Sequence, residues 1–304
     1  MKKVVVVGSL NYDFFLLLAG MPKVGETVHA DGSDRGAGGK GADQAVQIAK
    51  LGTPVFMVGS IGNDWMGTYL RESLIDAGVD CTYLKRRQDV ETGMSVANVL
   101  PDGNIMSVIL HGANYGVEKA DVLEAMPALR EAEMIVLQLE IPMEVVKFTI
   151  DLAKELGIKV LLNAAPAAVL KEEYIRKCDY FVVNEVEASF YAGEEIASVE
   201  QAEKRIPELA ENYGNCWICT LGEAGALIAG NGEYRHIPAV KTQMVEATGA
   251  GDSFVGGFSH GVLEGMDVFQ AGWFAAHCSA ITIRNVGAQV SMPRREQLRK
   301  EYGI

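Results

Sequence analysis

The chain has 304 residues, 49% of them hydrophobic, with 27 basic against 40 acidic side chains and a formal net charge of -13. So acidic a balance repels nucleic acid and anionic membranes and favours small-molecule work in a pocket that is neutralised locally. Five irregularly spaced cysteines fit a reducing cytoplasm.

The amino terminus, Met1-Lys2-Lys3 and then valines, opens like a signal peptide, but Asn11 and Asp13 interrupt the apolar stretch before it resumes at 14–19. Neither run is long enough to span a bilayer, so a soluble, unprocessed, cytoplasmic chain is expected. From there, short apolar or β-branched runs at 4–7, 55–58, 134–137, 159–162, 180–183 and 216–220 predict strands. Helix-period segments at 41–51, 65–77, 143–156 and 199–213 lie between them. Apolar strands separated by helices predict one α/β domain over 1–304, a doubly wound, mostly parallel, Rossmann-like sheet covered on both faces. Two insertions break the alternation, at about 12–35 and 90–111. They carry strand-like pieces, including 93–100 and 105–110 around the turn Pro101-Asp102-Gly103-Asn104. A small sheet built from both insertions would cover a pocket as a lid; a pair of edge hairpins is the plainer alternative.

The first strand runs into Gly8-Ser9-Leu10-Asn11-Tyr12-Asp13, which lacks the second glycine of a dinucleotide fingerprint. Asn11 and Asp13 instead offer donors and acceptors for hydroxyl groups at a strand's carboxyl end. Gly36-Ala37-Gly38-Gly39-Lys40-Gly41 is a glycine-rich helix start, yet Gly41 stands where a P-loop needs Ser or Thr. A second such start, Thr248-Gly249-Ala250-Gly251-Asp252, sets a carboxylate beside helix amides that have no intrahelical partner. Small residues before a helix also make tight connections, so neither start decides the function alone.

Taken in order, these segments resemble the ribokinase-like, or PfkB, family of carbohydrate kinases over nearly the whole chain. The likeness includes Gly38-Gly39-Lys40-Gly41, Ile61-Gly62-Asn63-Asp64 with Gly67, Gly112-Ala113-Asn114 and Leu137-Gln138-Leu139-Glu140-Ile141-Pro142. Asn163-Ala164-Ala165-Pro166-Ala167, Asn184-Glu185-Val186-Glu187, Thr220-Leu221-Gly222, Gly249-Ala250-Gly251-Asp252 and Gly287-Ala288-Gln289-Val290-Ser291 follow. The resemblance implies a ribokinase-like fold and a sugar pocket lined by Asn11, Asp13, Gly39, Lys40, Asp43 and Glu140. It implies that Asp252 is the general base, that the amides of Gly249, Ala250 and Gly251 form an anion hole, and that Asn184, Thr220 and Gly222 meet ATP. By the same resemblance Asn184 and Glu187 organise Mg2+ and its waters, Glu246, Gly287 and Ser291 hold a monovalent cation such as K+, and the lids pair two copies in a homodimer.

Departures from the pattern carry their own expectations. The resemblance places Asn where this chain has Asp43, so a donor-acceptor group becomes one that only accepts when ionised. Its charge would disfavour acidic or phosphorylated sugars, unless it pairs with Lys40 and merely balances the site. Glu246-Ala247 replaces Asp-Thr, keeping the charge but adding a methylene, from which weaker K+ activation is expected. Cys216 and Cys219 form C-x-x-C on an apparent core strand with no second pair, and the five histidines form no ligand spacing. His277 is expected to pack in a helix, and the apolar run 14–18 either packs in the core or serves a partner. The resemblance thus implies an ATP-dependent kinase acting on a primary hydroxyl of a neutral sugar, D-ribose first. Another pentose, a hexose such as fructose, a nucleoside, and a non-catalytic sugar- or nucleotide-binding regulator are the alternatives.

Overall fold

The computed structural model describes residues 2–101 and 105–304. Its strands are β1 (Lys3–Val7), β2 (Asn11–Leu17), β3 (Gly32–Gly38), β4 (Val55–Gly62), β5 (Leu84–Arg87), β6 (Met94–Val99) and β7 (Ile105–Leu110). They continue with β8 (Ala132–Leu137), β9 (Lys159–Asn163), β10 (Tyr180–Val183), β11 (Cys216–Thr220), β12 (Ala226–Gly230) and β13 (Glu233–Ile237). Helices are α1 (Lys40–Lys50), α2 (Trp65–Ala77), α3 (Lys119–Glu124), α4 (Met126–Leu129), α5 (Met143–Leu156) and α6 (Glu172–Lys177). The remainder are α7 (Glu185–Ala192), α8 (Val199–Tyr213), α9 (Ala250–Leu263), α10 (Val268–Thr282), α11 (Ala288–Ser291) and α12 (Arg295–Tyr302).

Among the described residues the main sheet has nine strands in the order β13-β12-β11-β10-β9-β8-β1-β4-β5. From β11 to β5 all neighbours are parallel, and β12 and β13 close the far edge as an antiparallel hairpin. The valines of β1 show why both faces are covered. Val5 and Val7 join a core that includes Val145 of α5, Ala188 of α7 and Ile206 of α8. Val4 and Val6 join the opposite core, with Ala45 of α1, Leu74 of α2 and Phe258 of α9. Alternate side chains of one strand therefore feed two helix layers, which is why the run is apolar throughout.

The second, four-stranded sheet runs β3-β2-β6-β7, and its β2 and β6 come one from each insertion and pair in parallel. Of the turn expected at 101–104, residues 102–104 lie outside those described. The predicted helices appear as α1, α2, α5 and α8, displaced by no more than a residue. The predicted strands are there too, although β4 continues to Gly62, because its end is buried against Thr92 and Ala113. The β12–β13 hairpin, which the apolar alternation does not reveal, turns on Asn231-Gly232, with φ of 55° and 78°; such paired left-handed residues match the strand twist.

Helix starts sort into two kinds. Asp64, Asn184, Ser198 and Asp267 cap α2, α7, α8 and α10 with their side chains, relieving amides that would otherwise lack partners. The two starts expected to carry chemistry have no side-chain cap: α1 follows Gly39 and α9 follows Gly249.

Candidate active site

The main sheet changes its direction of growth at β1, with β4 and β5 on one side and β8 to β11 on the other. Chains leaving the carboxyl ends of β1 and β8 diverge there and open a crevice of the kind in which open α/β sheets bind ligands. Asn11 and Asp13 leave β1 on β2, Glu140 follows β8, and α1 starts beside them. The alternation of β2 sets Asn11 and Asp13 on one face. A Cβ at Gly38 would lie 2.0 Å from Asp13 Oδ2, and one at Gly39 would lie 2.6 Å from Asn11 N. Glycine at both positions is what lets α1 begin this close to β2, and Gly39 also takes φ 92°.

Hydrogen bonds orient the polar groups. Asn11 Oδ1 accepts from Asn114 Nδ2 at 2.8 Å, and Asn114 is itself held by both backbone groups of Leu10. Among the described residues the amide NH2 of Asn11 has no partner. Glu140 Oε2 accepts from Ser9 Oγ at 2.6 Å, and Ser9 also accepts the early α1 amides of Gly41 and Ala42. So α1 is capped from the β1–β2 connection rather than by its own N-cap.

Asp13, Asp43, Glu140 and Asp252 gather around one ammonium, Lys40. Asp252 above all, then Glu140, Glu187 and Asp43, hold that ammonium above its ordinary value against the pull of burial. Burial pushes the Asp13 carboxyl up to about 7, with Glu140 and Asp252 adding to it. The Asp252 carboxyl is also raised by burial, while Lys40 and a hydrogen bond from Gln44 oppose the rise. Asp43 is held well above the usual carboxylate range by burial, then by Asp252 and Asp13. It forms no ion pair with Lys40; its Oδ1 accepts from Gln289 Nε2 at 2.9 Å. Burial thus disfavours the ionised, accept-only form of Asp43.

At α9 the anion cradle differs in detail from expectation. Gly249 N and Gly251 N have no partner among the described residues, but Ala250 N turns back to Ala247 O at 3.2 Å. Asp252 N is unpaired in its place, so the available donors are Gly249, Gly251 and Asp252. A Cβ on Gly251 would meet nothing within 4 Å, leaving room beside these amides.

At the positions expected to meet ATP, Thr220 ends β11 and donates to Val183 O at 3.4 Å, and Gly222 opens a short turn of helix at φ 50°. Asn184 and Glu187 form a capping box. Asn184 Oδ1 accepts from Val186 N and Glu187 N, and Glu187 Oε2 accepts from Asn184 N at 2.8 Å. One oxygen of Glu187 and the NH2 of Asn184 remain unused. Among the described residues no group of three or more His, Cys, Asp or Glu side chains is arranged to hold a metal. That donor set fits a magnesium ion bound mainly through phosphates and waters. Glu246 reaches across to the α11 segment, where its Oε2 accepts from Gly287 N at 2.8 Å, and Ser291 Oγ donates to Val286 O at 3.2 Å. Glu246 thus ties two loops together.

Several residues at the site had no role assigned from sequence: Ser9, Gln44, Asn114, Gln138, Asn163 and Gln289. Most stand within the quoted motifs, but nothing local shows which partners they find. His277 packs as expected, its Nδ1 donating to Trp273 O and its ring lying edge-on to Tyr302. Cys216 and Cys219 point into opposite cores, their thiols pushed up to about 12 by burial. A cavity of about 780 Å³ lies at the other end of the sheet, lined by Lys154, Asp179, Tyr180 and Cys216. Lys154 there is paired with Asp179 at 2.7 Å.

The sequence profile of the pfkB family carbohydrate kinases matches residues 1–295. This chain belongs to that family. The ribokinase of Schizosaccharomyces pombe is 35% identical, with 96% of this chain and 95% of that protein covered. The deoxyribokinase of Salmonella typhimurium is also 35% identical, with 98% of each covered. Among solved structures, Arabidopsis thaliana ribokinase complexed with ribose and ATP superposes with a TM-score of 0.90 at 31% identity, covering 98% of each chain. A pfkB carbohydrate kinase is an ATP-dependent phosphotransferase, and the ribokinase fold inferred from the motifs is the one observed.

For this pfkB kinase the crowding of carboxyls has a measurable consequence. Folded Asp13 keeps its proton from pH 3.8 up to about 7, whereas the unfolded chain has released it. Stability therefore falls as pH rises through that window. Relative to wild type, Asp13→Asn is expected to stabilise the ligand-free protein by about 1–3 kcal/mol at pH 8 and by almost nothing at pH 4. Urea denaturation at both pH values checks this; equal gains at the two would refute it.

Proposed function

We propose that this kinase transfers the γ-phosphoryl group of ATP to the primary hydroxyl of a neutral sugar, with D-ribose as its leading substrate. The observation that carries the reading is Asp252, a half-buried carboxylate in the first turn of α9, beside amides unpaired among the described residues and within the field of Lys40. Asp252 takes the proton of the attacking hydroxyl, and the amides of Gly249, Gly251 and Asp252 stabilise the charge that develops on the transferred group. Base assistance of this kind is worth roughly 10²- to 10⁴-fold in rate, and aligned donors add a comparable factor. Asn11, Asp13, Gly39, Lys40, Asp43 and Glu140 line the acceptor pocket. Their mixed donors and acceptors suit a ring of hydroxyls, and the unneutralised carboxyls disfavour anionic acceptors. The ribokinase relatives support ribose. The deoxyribokinase relative, equally identical, supports 2-deoxyribose as the second reading.

ATP lies along Asn184, Thr220 and Gly222 in this proposal. Magnesium, held by phosphates and waters oriented by Glu187 and Asn184, would neutralise phosphate charge. A monovalent cation near Glu246, Gly287 and Ser291 has a reduced role, because Glu246 is already bonded to Gly287 N. The small sheet serves as a lid over the pocket. Its exposed apolar face, with Met106, Val108 and Leu110 at least half accessible, is proposed to pair two copies, since a patch of this kind is uncommon on a monomer. No helix among the described residues is long and apolar enough to cross a membrane, and five unpaired, buried cysteines support a cytoplasmic setting.

The principal test is an ADP-release screen over ribose, 2-deoxyribose, other neutral pentoses and hexoses, and nucleosides with Mg-ATP. Ribose or 2-deoxyribose should give the highest kcat/KM; turnover confined to nucleosides would overturn the sugar assignment. Asp252→Asn should lower kcat by about 10²- to 10⁴-fold while sugar binding by calorimetry persists, and an unchanged kcat would remove Asp252 as the base. Saturating K+ should raise wild-type kcat by less than about threefold, a difference of under 1 kcal/mol in the barrier. Glu246→Asp, which shortens the carboxylate's reach, should respond more strongly. Sedimentation should show a dimer that Val108→Glu dissociates; a monomeric wild type would refute the lid interface.

A further inference from the structure

Gln44 is fully buried on α1, one turn beyond Lys40. Its Nε2 donates to Asp252 Oδ1 at 2.8 Å and to Asn163 Oδ1 at 3.1 Å. Its Oε1 accepts from Gln138 Nε2 at 2.5 Å. Both ends of the amide are thus engaged, and the partners dictate which end is which. Asn163 Nδ2 is directed at Val182 O, a carbonyl that can only accept, at 3.4 Å; the oxygen of Asn163 must then face Gln44. An ionised Asp252 likewise presents only acceptors. A flipped Gln44 would set oxygen against these oxygens and its NH2 against that of Gln138, so a single orientation satisfies the network.

That orientation has a visible cost. Gln138 Oε1 is sealed from solvent with no hydrogen-bond partner, and it lies where a Cβ on Gly8 would come within 2.0 Å. Buried polar atoms without partners are rare. Here the orphan oxygen is what remains once Gln138 has turned its NH2 toward Gln44.

We propose that Gln44 is a positioning residue for the general base: its amide, locked by Gln138 and Asn163, pins Oδ1 of Asp252 and leaves Oδ2 to receive the proton of the attacking hydroxyl. The inference rests on the kinase reading of Asp252. Its physical content is twofold. The bond removes rotational freedom of the carboxylate about χ2, so the acceptor oxygen is in place before the sugar arrives. A donated N–H also favours the ionised carboxylate, which burial disfavours. Lys40 from α1, Asp13 from β2, Asp43 from α1, and Glu140 following β8 also act on Asp252. All of them are retained when Gln44 alone is changed.

Gln44→Met keeps the length and apolar volume of the side chain and removes the amide. The expected result is a fall in kcat of about tenfold to a hundredfold at pH 7 with the sugar KM held within about threefold. The acid limb of the kcat–pH profile should move up by about one pH unit, the scale of a hydrogen bond to an ionised group. Raising the pH should then recover part of the lost rate. A fall in kcat with the acid limb unmoved is a structural effect and overturns the proposal. Gln138→Leu leaves Gln44 present but unlocked, and should shift the limb in the same direction by less. If Gln44→Met fails to fold, the proposal stands or falls on Gln138→Leu, and a profile coincident with wild type overturns it. The Asp252 titration followed by carbon-13 NMR in the ligand-free protein reads the same displacement without turnover. A wild type that phosphorylates nothing therefore refutes the kinase reading, whereas an Asp252 titration unaltered by either variant refutes this one.

Discussion

A single ammonium, that of Lys40, holds together a pocket whose other charges repel one another. Asp13, Asp43, Glu140 and Asp252 all act on it or on each other from within a largely desolvated crevice. One cation cannot neutralise them all, so the remainder is absorbed in other ways. Burial pushes the Asp13, Asp43 and Asp252 carboxyls up, and the directed donors Ser9, Gln44 and Gln289 reach Glu140, Asp252 and Asp43. The outcome is a site in which the carboxylate most strongly coupled to Lys40 is the one placed at the start of α9. On the proposed function a neutral sugar would offer hydroxyls to these groups, whereas an anionic acceptor would add to the repulsion.

The fold supplies this crowding through its connections rather than through its core. Strand order reverses at β1, so the chain that leaves β1 and the chain that leaves β8 part and make room. Glycine at 39 allows α1 to begin directly against β2, and Ser9 takes the first amides of that helix. At α9, by contrast, no cap is present and amides stay open beside Asp252. Two structural devices thereby diverge from similar glycine-rich sequences: one helix start is closed onto the scaffold and the other is left for an anion. Asn184 and Glu187 combine both uses, since a capping box occupies one face of each side chain and leaves another face free.

Much of this was legible from the chain. The valines of β1, the apolar runs of β8 to β11 and the helical periods of α1, α2, α5 and α8 report burial through local spacing, and the structure has them where the spacing puts them. Asp252 and the glycine turn were legible because an uncapped helix start followed by a carboxylate is a local pattern, and the ordered motifs identified the family. Other features were not readable in this way. The pairing of β2 with β6 joins two insertions, and no local pattern states which strands meet. The amide of Ala250 bends back to Ala247, a matter of turn geometry rather than composition. Residue type carries only a reference ionisation for Asp43; the upward push on its carboxyl comes from burial and from Asp252 and Asp13, brought in from α9 and β2.

Gln44 marks the boundary most clearly. By itself it is a glutamine within a helix period, and its contact with Asp252 spans 208 positions of chain. The sequence alone determined the layered α/β architecture, the family, and the chemical types gathered for phosphoryl transfer, because hydrophobic period and motif order are properties of neighbouring residues. Tertiary structure alone decided which amides stay open, which carboxyls keep their protons and which way each buried amide faces. Those outcomes depend on desolvation and on hydrogen-bond partners supplied by distant segments, and such partners exist only once the chain has folded.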